Sequence, residues 1–289
     1  MAELKDIVGR QSAREVNIVR AGTHGWNEAA DFVATEEPLE IRLGFTNDSG
    51  DRDERSISIT MRTPGHDQEL ATGFLYTEGI IRRPDDVASI GPCGPPASNG
   101  LVNVVRVELA EQVPVDVGRL QRNFYTTSSC GVCGKASLDA VAVQGQFDPG
   151  TVALSIRRDV LQSLPGKLGQ HQSIFDRTGG LHASGLFEPD GRIIASREDV
   201  GRHNALDKLI GSQFAARAVP LSGNGILLSG RASFELLQKA MMAGCPFVAA
   251  VGAPSSLAVE LAAEFGITLV GFLNQDRFNV YTRADRIEP

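Results

Sequence analysis

Two cysteines stand in the run Ser128-Ser129-Cys130-Gly131-Val132-Cys133-Gly134. Thiols at this spacing occupy neighbouring backbone positions and can have a depressed pKa, which leaves one partly thiolate near neutral pH. A thiolate attacks disulfides and persulfides and can carry the terminal sulfur onward. Gly131 and Gly134 keep the segment sterically open, and Ser128 and Ser129 are small and polar. Two other uses of the spacing compete. Half of a zinc site needs two further ligands, but Cys93 and Cys245, the remaining cysteines, lack a second Cys-x-x-Cys. A thioredoxin-like dithiol belongs near the start of a βαβ unit, and this one lies mid-chain. Spacing alone leaves sulfur or redox chemistry and zinc both open.

Further polar constellations follow. Arg197-Glu198-Asp199-Val200-Gly201-Arg202-His203-Asn204 spans a strand-to-helix turn, with Arg202, His203 and Asn204 near the helix start, where free N–H groups favour an anion. Taken alone, it reads more simply as a capped helix with solvated charges. The geometry recurs at Ser229-Gly230-Arg231-Ala232-Ser233 and at Gly252-Ala253-Pro254-Ser255-Ser256, each after an apolar strand. Carboxyl ends of strands in open α/β sheets collect ligands, so these turns suit a phosphate- or nucleotide-bearing ligand. Neither Gly-x-Gly-x-x-Gly nor a P-loop is present. His182, in Thr178-Gly179-Gly180-Leu181-His182-Ala183-Ser184, invites comparison with the His-x-Glu of zinc deaminases, but Ser184 replaces the carboxylate and the cysteine pair precedes the histidine. A deaminase-like hydrolase is therefore disfavoured. Finally, Gly271-Phe272-Leu273-Asn274-Gln275-Asp276-Arg277 leaves a strand through a polar turn, where the planar fork of Arg277 suits a phosphate or a guanine edge.

The elements that must position these groups can be read from periodicity. Residues 1–35 are polar without a clear period and read as a mobile leader. Alternating runs at 39–45 and 56–61 read as a hairpin. Asp67 can cap a helix carrying Leu70, Phe74 and Leu75, with Gly79 as its stop. A Gly/Pro loop at 91–96 precedes a strand at 102–107, and 136–143 reads as a short helix or buried segment. Helical spacing at 157–175 is interrupted at Pro165-Gly166, and strands follow at 183–187 and 192–196. From residue 200 onward, helices at 202–216, 234–243 and 256–265 alternate with strands at 226–228, 247–251 and 267–272. That alternation implies parallel pairing in a sheet covered on both faces.

The 289 residues, 42% hydrophobic and 22% charged, permit one large α/β domain with a smaller lobe. The net charge of −7 argues against a general nucleic-acid binder without excluding an anionic small ligand. No signal peptide or membrane-length apolar run is visible, and four cysteines are too few for a disulfide framework. A cytoplasmic setting is expected.

Taken together, these segments resemble the formate dehydrogenase accessory sulfurtransferase family (FdhD). The matching pieces are Glu36-Glu37-Pro38-Leu39, Thr63-Pro64-Gly65-His66-Asp67, Ala71-Thr72-Gly73-Phe74-Leu75, Glu78-Gly79-Ile80-Ile81 and Ser129-Cys130-Gly131-Val132-Cys133-Gly134, then 178–182, 198–204, Ser229-Gly230-Arg231 and 272–277. They run in the family's order from about 36 to 282. The resemblance implies a cytidine-deaminase-like three-layer α/β/α core with a smaller N-terminal β-containing subdomain, divided as 1–35, 36–125 and 126–289. It implies a homodimer that takes persulfide sulfur from a cysteine desulfurase and passes it to Mo-bis(molybdopterin guanine dinucleotide) before that cargo enters formate dehydrogenase, whose activity requires it. Cys130 would bear the persulfide with Cys133 as its partner. Phe272, Leu273, Asn274, Gln275, Asp276 and Arg277 would bind the cargo, joined by Arg202, His203, Asn204, Ser229, Arg231 and His182. No permanently bound metal, nucleic acid or membrane is implied. A zinc-stabilised cofactor-binding chaperone for apo-formate dehydrogenase is the alternative.

Overall fold

The computed structural model describes residues 11–23, 25–47, 49–115 and 147–289; Cys130, Cys133 and the 136–143 segment lie outside the described residues. Strands β10 (Gly225–Leu228), β11 (Phe247–Ala250) and β12 (Thr268–Gly271) are wholly buried and pair in parallel. They read as short apolar runs because both faces are covered. Ile226, Leu228, Val248, Ala250 and Leu269 point into one core, and Leu227, Phe247, Ala249 and Val270 into the other. Helices α4 (Arg202–Ala215), α5 (Phe234–Met242) and α6 (Ser256–Glu264) pack on the first side. Leu161, Leu164 and Leu168 of α2 (Arg158–Gly169) pack on the second. This is the three-layer α/β arrangement expected.

The parallel pairing expected of the strands after residue 200 holds for β10, β11 and β12, and the strands that flank them run antiparallel. Strand β8 (His182–Phe187) runs antiparallel to β10, β9 (Ile193–Asp199) antiparallel to β8, and β13 (Asn279–Thr282) antiparallel to β12. The order across the sheet is β13-β12-β11-β10-β8-β9. Pro165 also fails to interrupt α2, which continues to Gly169. The proline forfeits one intrahelical bond, and the buried leucine face on either side keeps the helix together.

A second sheet covers the far side of the first core. Strands β3 (Glu37–Thr46) and β4 (Arg52–Arg62) form the expected hairpin, and β6 (Val104–Leu109) pairs parallel to β3. Strand β5 (Val87–Pro92), absent from the sequence reading, pairs antiparallel with β6. Leu39, Ile41, Leu43, Phe45, Val105 and Val107 point inward and are buried. The outer face carries an ion-pair ladder of Glu40, Arg42, Glu54, Arg106, Glu108 and Arg52. Beneath this sheet lies α1 (Asp67–Thr77), ended by Gly79 in the left-handed conformation as expected. Asp67 is its first residue and not its cap, because His66 holds that place and Asp67 takes a bidentate contact from Arg62 at 3.0 and 2.9 Å.

Residues 1–35 are not wholly a leader: β1 (Ala13–Gly22) and β2 (Gly25–Ala34) form an antiparallel hairpin. Both of its faces are largely solvated, so its side chains never needed to alternate. The short α3 (Ser173–Thr178) holds its base, with the Arg177 guanidinium 4.7 Å from the Phe32 ring centre. The last short pair is β7 (Ile156–Arg157) with β14 (Ile287–Glu288).

Helices α1 and α4 cross where neither has a side chain. A Cβ on Gly73 would stand 1.9 Å from the Asp207 carbonyl oxygen, and one on Gly211 would stand 1.9 Å from that of Glu69. Backbone on both sides leaves nothing that can rotate away. Gly211→Ala should therefore lower stability by about 3 kcal/mol, read as a fall in the urea midpoint; an unchanged midpoint would contradict this crossing.

Candidate functional site

Three turns at the carboxyl ends of the parallel strands lie side by side. The Gly252 N–H donates to the Gly230 carbonyl (2.9 Å), and the Phe272 N–H donates to the Gly252 carbonyl (3.1 Å). The Ala232 N–H donates to Ala253 and the Ser255 N–H to Ala232. The start of β8 joins them: the Ala183 N–H donates to Ser229 Oγ (2.8 Å), and the Ser229 N–H to the Ala183 carbonyl (3.0 Å). A side chain would clash with backbone at Gly252 and crowd the His182 ring at Gly230. A Cβ on Gly252 would meet the Arg231 nitrogen at 2.9 Å, and one on Gly230 would lie 3.2 Å from His182 Nδ1. The fold thus brings His182, Ser229, Arg231, Arg202, His203 and the start of the 272–277 segment to one end of the sheet.

That end is electropositive for structural reasons. Helix α4 begins after Gly201 and α5 after Ser233, neither with a side-chain cap, whereas Ser255 Oγ caps α6 by accepting from the Ala258 N–H (3.3 Å). Free N–H groups and the helix dipole therefore face outward at α4 and α5. The first turn of α4 holds Arg202 and His203 and no acidic residue. The Arg202 Nε is buried and lacks a hydrogen-bond partner. Burial pushes the His182 imidazole below its usual range, and Arg202, His203 and Arg231 push it the same way. His203 Nε2 stands 2.8 Å from a Glu235 oxygen and 3.4 Å from Ser233 Oγ.

The remaining expected residues divide. Phe272 is exposed at φ 53°, a backbone region that bulky side chains avoid. Asn274, Gln275, Asp276 and Arg277 are all exposed. Asn274 Oδ1 shapes their turn by accepting from the Asp276 and Arg277 N–H groups at 2.9 and 3.0 Å. The Arg277 guanidinium has no hydrogen-bond or ion-pair partner among the described residues. Leu273, by contrast, is buried in the second core and anchors the turn from below. Asn204 is buried too; its amide donates to the Met61 carbonyl (2.8 Å) and to Asp199 Oδ1 (3.1 Å).

Sequence reasoning missed Glu235 and Lys208, and it saw Asp199 only as one polar residue of a turn. Lys208 Nζ lies 2.6 Å from Asp199 Oδ2, with both side chains buried. The signal was available: position 208 falls among 205, 206, 209 and 210, the apolar face of the expected helix. Cys245 is buried and its Sγ donates to the Phe247 carbonyl (3.2 Å), and burial pushes the thiol up to about 12. Among the described residues no cluster of histidine, cysteine and carboxylate side chains could hold a metal ion. No described helix is long and apolar enough to cross a membrane. At the other end of the sheet, buried Arg286 donates to the carbonyls of Pro149 (2.7 Å) and Pro246 (3.0 Å).

The fold and site define an α/β protein with a cationic, glycine-built strand-end site suited to a polyanion. Residues 34–288 match the model of the FdhD/NarQ family, and the chain belongs to that family. It is similar to proteins named sulfur carrier protein FdhD. That of Mycolicibacterium paratuberculosis is 52% identical over 89% of this chain and 92% of its own. That of Streptomyces coelicolor is 48% identical over 97% of each chain. A crystal structure assigned as that of a formate dehydrogenase accessory protein from Desulfotalea psychrophila superposes with a TM-score of 0.70 at 25% identity, covering 96% of this chain and 99% of that one.

Bound anion beside His182 would favour its imidazolium. In a histidine-resolved NMR titration, His182 should titrate below about 6.5, and inorganic pyrophosphate should move its midpoint upward. A midpoint indifferent to pyrophosphate would remove His182 from the site.

Proposed function

We propose that this chain is a sulfur carrier in the maturation of formate dehydrogenase. It would receive sulfur from a cysteine desulfurase and pass it to Mo-bis(molybdopterin guanine dinucleotide), acting as a homodimer in the cytoplasm. The observation that carries the reading is the end-to-end match to proteins named as sulfur carriers, in a chain that holds Cys130 and Cys133. Loading is a thiolate exchange. The Cys130 thiolate attacks the outer sulfur of the donor persulfide, the donor's S–S bond breaks, and the donor cysteine leaves as thiolate. Attack of Cys133 on the inner sulfur of the new persulfide then forms a Cys130–Cys133 disulfide and expels hydrosulfide. The two electrons that convert sulfane sulfur to sulfide come from the cysteine pair.

The strand-end site fits the cargo's chemistry. Two pyrophosphates call for fork-shaped donors and free helix N-termini, which Arg202, Arg231 and the starts of α4 and α5 offer. The unpartnered Nε of Arg202 is a donor awaiting an anion. Ser229 Oγ accepts from the Ala183 N–H, and its hydroxyl proton can be donated to an anion. Arg277 and Phe272 project from the neighbouring turn, the first suited to a phosphate or guanine edge and the second to a base face.

Intact-protein mass spectrometry after treatment with a desulfurase and cysteine checks the carrier. The wild-type chain should gain the mass of one sulfur, Cys130→Ala none, and Cys133→Ser should retain its persulfide when challenged with acceptor. No gain in the wild type would overturn the reading.

A further inference from the structure

Glu235 has no part in the cargo site as described, yet its carboxylate reaches into the cation cluster. It stands in the first turn of α5 with Oε2 2.8 Å from His203 Nε2. The hydrogen bond from His203, reinforced by the charges of His203, Lys239 and Arg202, holds the Glu235 carboxyl below the usual carboxylate range. It is an anion at neutral pH. The charged or titratable groups around His203 are Glu235 and Lys239 of α5, Arg202 and Asp207 of α4, and His182 of β8. Of the two acidic groups, Asp207 is buried against Lys239 (2.9 Å), whereas the Glu235 side chain is 59% exposed and free to swing.

We propose that Glu235 is a specificity-determining residue, a built-in carboxylate that occupies the His203 edge of the site and excludes compact oxyanions in favour of extended ones. The proposal rests on the reading that the strand-end turns hold a pyrophosphate-bearing ligand. A ligand that takes His203 must either sit beside a like charge or displace it. Displacement forfeits an exposed contact with His203 and the carboxylate–dipole attraction at the start of α5, both of them weak. A compact oxyanion that fills only the vacated place recovers that loss and little more. A pyrophosphate instead bridges the unpartnered Arg202 and the exposed Arg231, each through a bidentate fork, and leaves His203 to Glu235.

Calorimetric titration of the full chain with inorganic phosphate and with inorganic pyrophosphate, at one pH and ionic strength, tests this. Glu235→Gln keeps the shape and removes the charge. It should tighten phosphate binding about fivefold and pyrophosphate binding less than about twofold, so the preference for pyrophosphate falls. Glu235→Asp, which keeps the charge, should stay close to the wild-type preference, and thermal melting of both variants checks that they fold. An unchanged or increased preference in Glu235→Gln would overturn the role of Glu235 alone. A wild-type chain that binds no pyrophosphate would overturn the site reading and this proposal together.

Discussion

The buried ion pair of Asp199 and Lys208 is the joint through which the two sheets meet. Asp199 closes β9 of the large sheet, and Lys208 lies on the inner face of α4. Both turn to Thr63, just beyond β4: the Lys208 ammonium donates to its carbonyl (2.8 Å), and Asp199 Oδ2 accepts from its N–H (3.2 Å). The other Asp199 oxygen accepts from the Gly201 N–H and from Asn204. Burying two charges costs several kcal/mol per ion, recovered only where further hydrogen bonds match the pair, and here both Asp199 oxygens are matched and the Lys208 ammonium gains the Thr63 carbonyl. Loss of one partner from such a pair costs about 3–5 kcal/mol, against about 0–1 kcal/mol for a surface pair. The surface ladder on β3, β4 and β6 is minor by comparison.

The consequences reach the site because the same joint sets where α4 begins. Asp199 and Asn204 hold the backbone on either side of Gly201, so the Arg202 and His203 side chains leave from a fixed point. A second buried cluster places α5: the Lys239 ammonium contacts Asp207 (2.9 Å) and donates to Thr77 Oγ1 (3.0 Å), tying together α1, α4 and α5. With the glycine crossing at Gly73 and Gly211, these contacts leave both uncapped helix starts little freedom. A ligand of the proposed site would meet turns that are already organised and would be spared the cost of ordering them.

The part of this fold most legible in the sequence is the run from residue 202 onward. There, buried strands such as Ile226-Leu227-Leu228 are bounded by glycine and serine, and the helices between them keep an apolar face. The pairing direction of β8, β9 and β13 was not legible, since antiparallel edges on a parallel centre leave no mark on periodicity. The β1–β2 hairpin escaped because both faces meet solvent, and β5 because Gly91 and Pro92 read as loop. At the site, the cationic turns were visible as residue types, but their division of labour was not. Asn204 and Leu273 share segments with Arg202 and Arg277 yet point into the protein, and Glu235 lies thirty-two positions from the histidine it meets. Such partners are matched by tertiary packing, which a local pattern does not record.

In the proposed function one chain joins a sulfur-bearing cysteine pair to a polyanion site. Isotope transfer tests that junction most directly. The chain is loaded with sulfur-34 by a desulfurase and labelled cysteine, then mixed with the molybdenum–pterin guanine dinucleotide, and the label is followed by mass spectrometry in protein and cofactor. The account predicts that label leaves the wild-type protein for the cofactor, while Arg202→Ala loads fully and retains it. Equal transfer from both proteins would contradict the assignment of the strand-end site.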